Sequence, residues 1–147
     1  MKKSFNEGDL FFISEIKVGF ETLSLHDGNR IGKLIYISSL FKDMIGFLPS
    51  KETFKEIPIN LENIEFLDYV IYTGNSELKR GKWSIIGHSD VTEREILLTT
   101  RITGNHLMIK DQEIRFYTEE DRQNYPRQGI AGLGAVYYYL NNLEKII

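Results

Sequence analysis

The sequence predicts an α+β domain that is mainly β: a bent or partly closed antiparallel sheet with a C-terminal helix packed on it. Three observations lead there. Short runs of branched and aromatic residues recur along most of the chain, punctuated by Gly, Asn and Asp, the residue types that turn a backbone between strands. The gaps between these runs lack the long helical crossovers that parallel strands require. The sustained three- and four-residue apolar rhythm comes at the end, where Leu133, Val136, Tyr137, Leu140 and Leu143, with Ile147 beyond, form one stripe of a helix.

Taken in order, Asp9-Leu10-Phe11-Phe12-Ile13 is a short aromatic and branched strand. A second run, Gly19 to Leu25, meets Asp27-Gly28 before Arg30 to Ile37. Asp-Gly suits a type I′ turn, whose central residues both take positive φ, so these two runs are expected to pair as a hairpin. Residues 38–66 are the least regular part. Met44 to Leu48 reads as a strand that Pro49 stops, and Pro58 interrupts the acidic stretch behind it. Phe66 to Thr73 and Lys82 to Gly87 are two more strands, joined across the polar loop Ser76 to Gly81. Thr92 to Glu95 reads as a helical turn beginning at a Thr or Asp cap. Leu97 to Thr103, His106 to Ile109 and Glu113 to Tyr117 then form a three-stranded meander. Gly104-Asn105 suits a type II′ turn between the first two, and Asp111-Gln112 makes the second break.

The stretch Gly129-Ile130-Ala131-Gly132-Leu133-Gly134 invites a nucleotide-binding reading. A dinucleotide fingerprint needs GxGxxG directly after a strand and an acidic residue about 20 positions on. Here the spacing is reversed, a polar loop precedes it, and 13 residues follow Gly134. No Gly-Lys-Ser/Thr follows either, so a phosphate-binding loop fails too. The small residues are read as letting the first turn of the helix approach the sheet, with an anion site at the helix N-terminus as the alternative.

A chain of 147 residues suits one domain over 1–147, and 41% hydrophobic with 27% charged residues marks an ordinary globular protein. No apolar run approaches the ~20 residues of a membrane span, and the polar start lacks a signal peptide's apolar stretch, so a cytoplasmic location without membrane contact is expected. The absence of cysteine excludes disulfides, thiolate catalysis and thiolate metal sites. A net charge of −3 lacks the basic footprint of a nucleic-acid binder. The acid is concentrated. Glu52, Glu56, Glu62, Glu65 and Asp68 face only Lys51 and Lys55, and Asp111, Glu113, Glu119, Glu120 and Asp121 form a second window. Such surfaces either steer a basic partner or simply keep a face solvated.

Residues able to carry chemistry are few. His26, His88 and His106 lie at no metal-ligand spacing, and no GxSxG elbow is present. His88 with Asp90 has the makings of an oriented imidazole, against a local turn contact as the plainer reading. Trp83 is read as a core anchor. Tyr137, Tyr138 and Tyr139 cannot all face inward, which leaves a tyrosine for an interface.

The order of Glu7-Gly8-Asp9-Leu10-Phe11, Gly32, Gly81-Lys82-Trp83-Ser84-Ile85-Ile86-Gly87-His88 and Arg101-Ile102-Thr103-Gly104-Asn105 ahead of Asp111 resembles the immunity protein 26 family of bacterial polymorphic toxin systems. The resemblance runs over roughly residues 5–117 and leaves out 38–66 and the C-terminal helix. It implies a cytosolic protein that binds and neutralises a cognate toxin domain, needs no cofactor and brings no catalytic residues. Together with the acidic windows it leads to the expectation of a toxin inhibitor that meets a basic surface through Glu62, Glu65, Glu119, Glu120, Asp121 and Tyr138. No metal, no nucleic acid and no catalytic set are expected, and the oligomeric state is open. The competing expectation is a small-molecule or nucleotide-binding protein, even an enzyme, with His88, Arg101 and Asp111 gathered around Trp83.

Overall fold

The computed structural model describes residues 3–146. The chain opens with β1 (Asp9–Ile13), the small strands β2 (Ile16–Val18) and β3 (Glu21–Leu23), then the long β4 (Arg30–Ile37) and β5 (Met44–Pro49). An irregular segment leads to β6 (Ile71–Gly74), the one-turn α1 (Ser76–Lys79) and β7 (Ser84–His88). After α2 (Glu93–Leu97) come β8 (Arg101–Thr103), β9 (His106–Ile109) and β10 (Gln112–Phe116). The chain ends in α3 (Glu119–Asn124), α4 (Leu133–Asn141) and α5 (Leu143–Ile146).

The strands form an open five-stranded antiparallel sheet, β6-β5-β4-β1-β7, and a three-stranded meander, β10-β9-β8. The two are stitched edge to edge by residues 126–131. Ile102 N donates to Pro126 O and Gln128 N to Ile102 O, both at 2.8 Å, while Ala131 N donates to Tyr72 O at 2.8 Å. This satisfies backbone groups that edge strands would otherwise leave bare.

A bulge in β4 decides which side chains go where. Leu34 pairs with Phe47 and Tyr36 with Gly46, so Ile35 is the extra residue. Two successive side chains, Ile35 and Tyr36, therefore join the same cluster. On one face Phe11, Leu34, Ile45, Phe47, Ile71 and Trp83 pack against Val136, Tyr137 and Leu140 of α4. Phe11 stacks on Trp83 at 5.5 Å and meets Phe47 edge-on at 5.2 Å. Gly32 makes room for that stack, since a Cβ there would lie 2.5 Å from the Phe11 ring. On the other face Ile35, Tyr36, Met44, Leu48 and Tyr72 pack with Phe41, Phe66, Val70, Val91 and Leu98.

The mainly β antiparallel architecture with a C-terminal helix is as expected. So are the meander, the helical start at Thr92, which the structure completes as a capping box with Glu95, and the burial of Trp83. The expected Asp27-Gly28 hairpin is not made. β3 pairs with β2, which the sequence reading missed, and β4 pairs with β1 and β5. Long-range burial of β4 on both sides outweighs the local turn signal. The run Leu97 to Thr103 is strand only from Arg101, because α2 carries Leu97. The glycine reading is corrected as well. A Cβ at Gly129, Gly132 or Gly134 would meet nothing within 4 Å, so close approach to the sheet does not explain them. The helix stripe holds at Val136, Tyr137, Leu140 and Leu143; Ile147 lies outside the described residues. No helix among them is long and apolar enough to cross a membrane.

Candidate functional site

Two polar constellations and one cleft stand out. The first is built on Arg101, which is fully buried at the start of β8. Its Nε donates to Gln128 Oε1 (2.9 Å), its Nη1 to the carbonyls of Thr99 (3.2 Å) and Lys110 (2.6 Å), and its Nη2 to Tyr36 Oη (3.3 Å). The guanidinium lies 5.1 Å from the Tyr36 ring centroid and 5.3 Å from that of Tyr72. Carbonyl dipoles and two ring faces thus replace the water that a buried cation loses. Tyr36 passes the interaction on by donating to Asp111 Oδ1 at 2.5 Å.

Asp111 sits in the turn between β9 and β10, where Ser38 Oγ, Ser39 N and Ser39 Oγ donate to it at 2.7, 2.7 and 3.0 Å. Partial burial pushes its carboxyl up, but the bonds from Tyr36, the Ser39 backbone and the two serine hydroxyls outweigh that and bring it to about 2. From the preceding residue, Lys110 Nζ reaches Glu7 Oε1 at 2.6 Å, and Glu7 Oε2 accepts from Ile37 N at 2.8 Å. Each of these groups has at least one partner within the protein. The network clamps the meander to the end of β4.

The second constellation lies on the neighbouring β1–β7 pair, where Asp9 is two residues on from Glu7. His88 closes β7 with Nδ1 2.9 Å from Asp9 Oδ1 and Nε2 2.9 Å from Asp90 Oδ1. The bond to Asp9, then that to Asp90, raises the imidazole pKa. Protonated, it donates from both nitrogens and has no lone pair left to take a proton, which a general base needs. Gly8, at φ +97°, leaves the space for the ring, because a Cβ there would lie 2.6 Å from His88 Cε1. Nearby, the buried Lys33 pairs with Glu95 at 2.9 Å and donates to Asp90 O at 3.0 Å.

The third is an open cleft of about 550 Å³ between residues 68–72, the end of α2 and the stitching segment 124–131, lined by Tyr69, Tyr72, Tyr125, Tyr139, Leu98 and Ile130 among others. Arg101 lies beneath its floor without reaching the surface.

The pocket expected around Trp83, His88 and Arg101 is not formed. Trp83 belongs to the cluster under α4 and Tyr36, beside Arg101, to the cluster on the other face. His88 is tied to Asp9 and Asp90 instead. Only Arg101 and Asp111 meet, through Tyr36. Tyr36 was not singled out from the sequence, where nothing but a strand position marked it. Among the described residues no group of three or more His, Asp or Glu side chains is placed to hold a metal ion.

Comparison with protein-family models, curated proteins and solved structures finds no match. The residues that carry the resemblance noted above have structural work instead: Glu7, Gly8, Asp9, Gly32, Trp83, His88, Arg101 and Asp111 all take part in the packing and clamps just described.

Of the expected contact residues, Glu62 and Glu65 are exposed on the irregular segment after β5, and Glu119 and Glu120 on α3. Tyr138 is 61% exposed on α4, as the triple tyrosine implied. Glu65 is paired with Lys51 at 3.1 Å and Glu119 with Arg122 at 3.3 Å. Asp121 is a correction. It is only 3% exposed, its Oδ2 accepts from Thr118 N at 2.9 Å and its Oδ1 from Arg115 at 2.7 Å. It closes the capping box of α3 and is no surface contact. The Thr118-x-x-Asp121 spacing was the available signal, masked by the acidic run around it.

Proposed function

We propose that this chain is an immunity protein, a binding protein that neutralises a cognate toxin domain in the bacterial cytosol by meeting a basic surface on it. One observation carries the reading: the side chains singled out as candidates for chemistry, His88, Arg101 and Asp111, are engaged by the protein itself. Arg101, Tyr36 and Asp111 form a closed clamp, and His88 has both nitrogens on carboxylates. Exposed carboxylates, Glu62 and Glu120 among them, and Tyr138 remain available to another molecule. Exposed charge of one sign steers an oppositely charged partner, and tyrosine is a favoured anchor at interfaces.

The test is co-expression in a bacterial host with the toxin domain encoded beside this chain's gene. Restored growth and a complex that survives gel filtration are expected. No protection and no complex remove the reading.

The tyrosine-lined cleft favours one second reading, a protein that binds a small molecule or nucleotide there. Its volume falls in the ordinary range for ligand pockets, roughly 300–1,000 Å³. Under this reading, nucleotides or aromatic metabolites raise the melting temperature, and Tyr139→Ala abolishes the rise.

A further inference from the structure

Between Phe54 and Leu61 the chain projects as a short loop that exposes isoleucine on both sides of Pro58. Ile57 is 47% exposed and Ile59 has no cover at all. Solvent-facing isoleucine is unremarkable singly, but two flanking a proline on a fastened loop form a presented apolar knob.

The loop is held at both feet. Phe54 exchanges backbone hydrogen bonds with Asn29 at 2.8 and 2.7 Å, and Asn29 Nδ2 donates to Lys55 O at 3.2 Å. At the far foot Leu61 lies over Gly87 of β7, where a Cβ would come within 2.5 Å of its side chain. Glu62 N donates to Asn60 Oδ1 at 2.8 Å, and Lys51 N to Glu65 O at 2.9 Å. Ordering entropy is thus largely settled before any partner arrives.

The segments that flank the knob in sequence are acidic. Glu52, Glu56 and Glu62 are exposed and make no ion pair among the described residues, against Lys55 as the one base between positions 52 and 62. The α3 window is different, since Glu119 is paired and Asp121 buried. Phe20 is as bare as Ile59, but it tips the β2–β3 hairpin between Lys17 and Glu21, so that surface selects no charge.

We infer that the 55–62 loop is the docking element, with Ile57 and Ile59 entering an apolar pocket of a protein surface whose rim carries Lys and Arg side chains that pair with Glu52, Glu56 and Glu62. This rests on the reading that the chain neutralises a toxin domain, and it names where and by what chemistry. Ile57 and Ile59 supply residence time, while the carboxylates supply the association rate.

The experiment measures binding of the full chain to the toxin domain encoded beside it, by surface plasmon resonance at two salt concentrations. I57S/I59S is expected to weaken binding about 100-fold, mainly in the dissociation rate. E52Q/E56Q/E62Q is expected to slow association about tenfold at low salt and to flatten its salt dependence. E15Q/E21Q, two exposed carboxylates at the β2–β3 hairpin, is the control and is expected to change neither. All these positions are exposed, so unchanged Trp83 fluorescence and melting temperature certify folding. Wild-type binding that I57S/I59S and the triple Gln variant leave within threefold overturns this inference and leaves the toxin-binding reading standing. No wild-type complex and no growth protection overturn both.

Discussion

Removing the hydroxyl of Tyr137 tests how the C-terminal helix is locked to the sheet. Trp83 Nε1 donates to Tyr137 Oη at 3.0 Å, and that hydroxyl donates to Ser14 O at 2.5 Å. Burial holds the Tyr137 pKa at about 12, despite the bond from Trp83 that lowers it, so the proton needed for Ser14 is present across the working pH range. Tyr137→Phe keeps the ring and strands the Trp83 N–H in a side chain with no exposure. An unsatisfied buried donor costs about 1–3 kcal/mol. Ser14 is partly exposed and its carbonyl can turn to water, which keeps the expected loss near 2 kcal/mol. For a chain of this length that is a fall in Tm of about 4–8 °C. Trp83 is the only tryptophan, so urea unfolding followed by its emission reads the site directly in the wild-type background, with circular dichroism as the probe common to both backgrounds. In a Trp83→Phe background no donor is left to strand, and the same change should cost less than about 1 kcal/mol, an interaction energy that only coupled groups show. Equal costs in the two backgrounds, or a loss under about 0.5 kcal/mol in the wild type, would refute the reasoning.

Other outcomes follow from the same geometry. Gly32→Ala should cost about 1–3 kcal/mol in denaturant unfolding, because the added methyl meets the fully buried Phe11 ring at 2.5 Å and that ring is held between Trp83 and Phe47. Arg101→Met should cost about 1–3 kcal/mol, since it takes a donor from Gln128 Oε1, from the carbonyls of Thr99 and Lys110 and from the Tyr36 hydroxyl; hydrogen exchange at the β8–β9 turn should accelerate with it. The depressed Asp111 carboxyl contributes stability above its unfolded value of 3.8 that is lost as pH falls toward about 2. After discounting for solvent screening this is about 1 kcal/mol, so Asp111→Asn should flatten acid unfolding between pH 4 and 2. His88 has the opposite sign. Its raised pKa makes its contribution fully present below the unfolded value of 6.5 and removes it as pH rises through the folded one. Wild type should therefore lose more stability than His88→Gln on going from pH 6 to 9, as melting curves would show.

What the sequence by itself determined is local. The Thr92 cap, the Gly104-Asn105 turn, the stripe of α4 and the exposure of Tyr138 all follow from interactions within about one helical turn or one strand pair, where spacing alone decides which side chains meet. The tertiary structure decided what is joined across the chain. Asp27-Gly28 promised a hairpin, yet β4 buries more surface between β1 and β5 than β3 has to offer it. One extra residue, Ile35, turns Tyr36 toward Arg101 and so brings Arg101 and Asp111 into one clamp, an outcome no residue pattern records. Asp121 looked like surface charge because its acidic neighbours are, whereas a box closed with Thr118 and a bond from Arg115 take it inside. Charge can be counted along a sequence, but whether a charge is free depends on which groups the fold has already placed beside it.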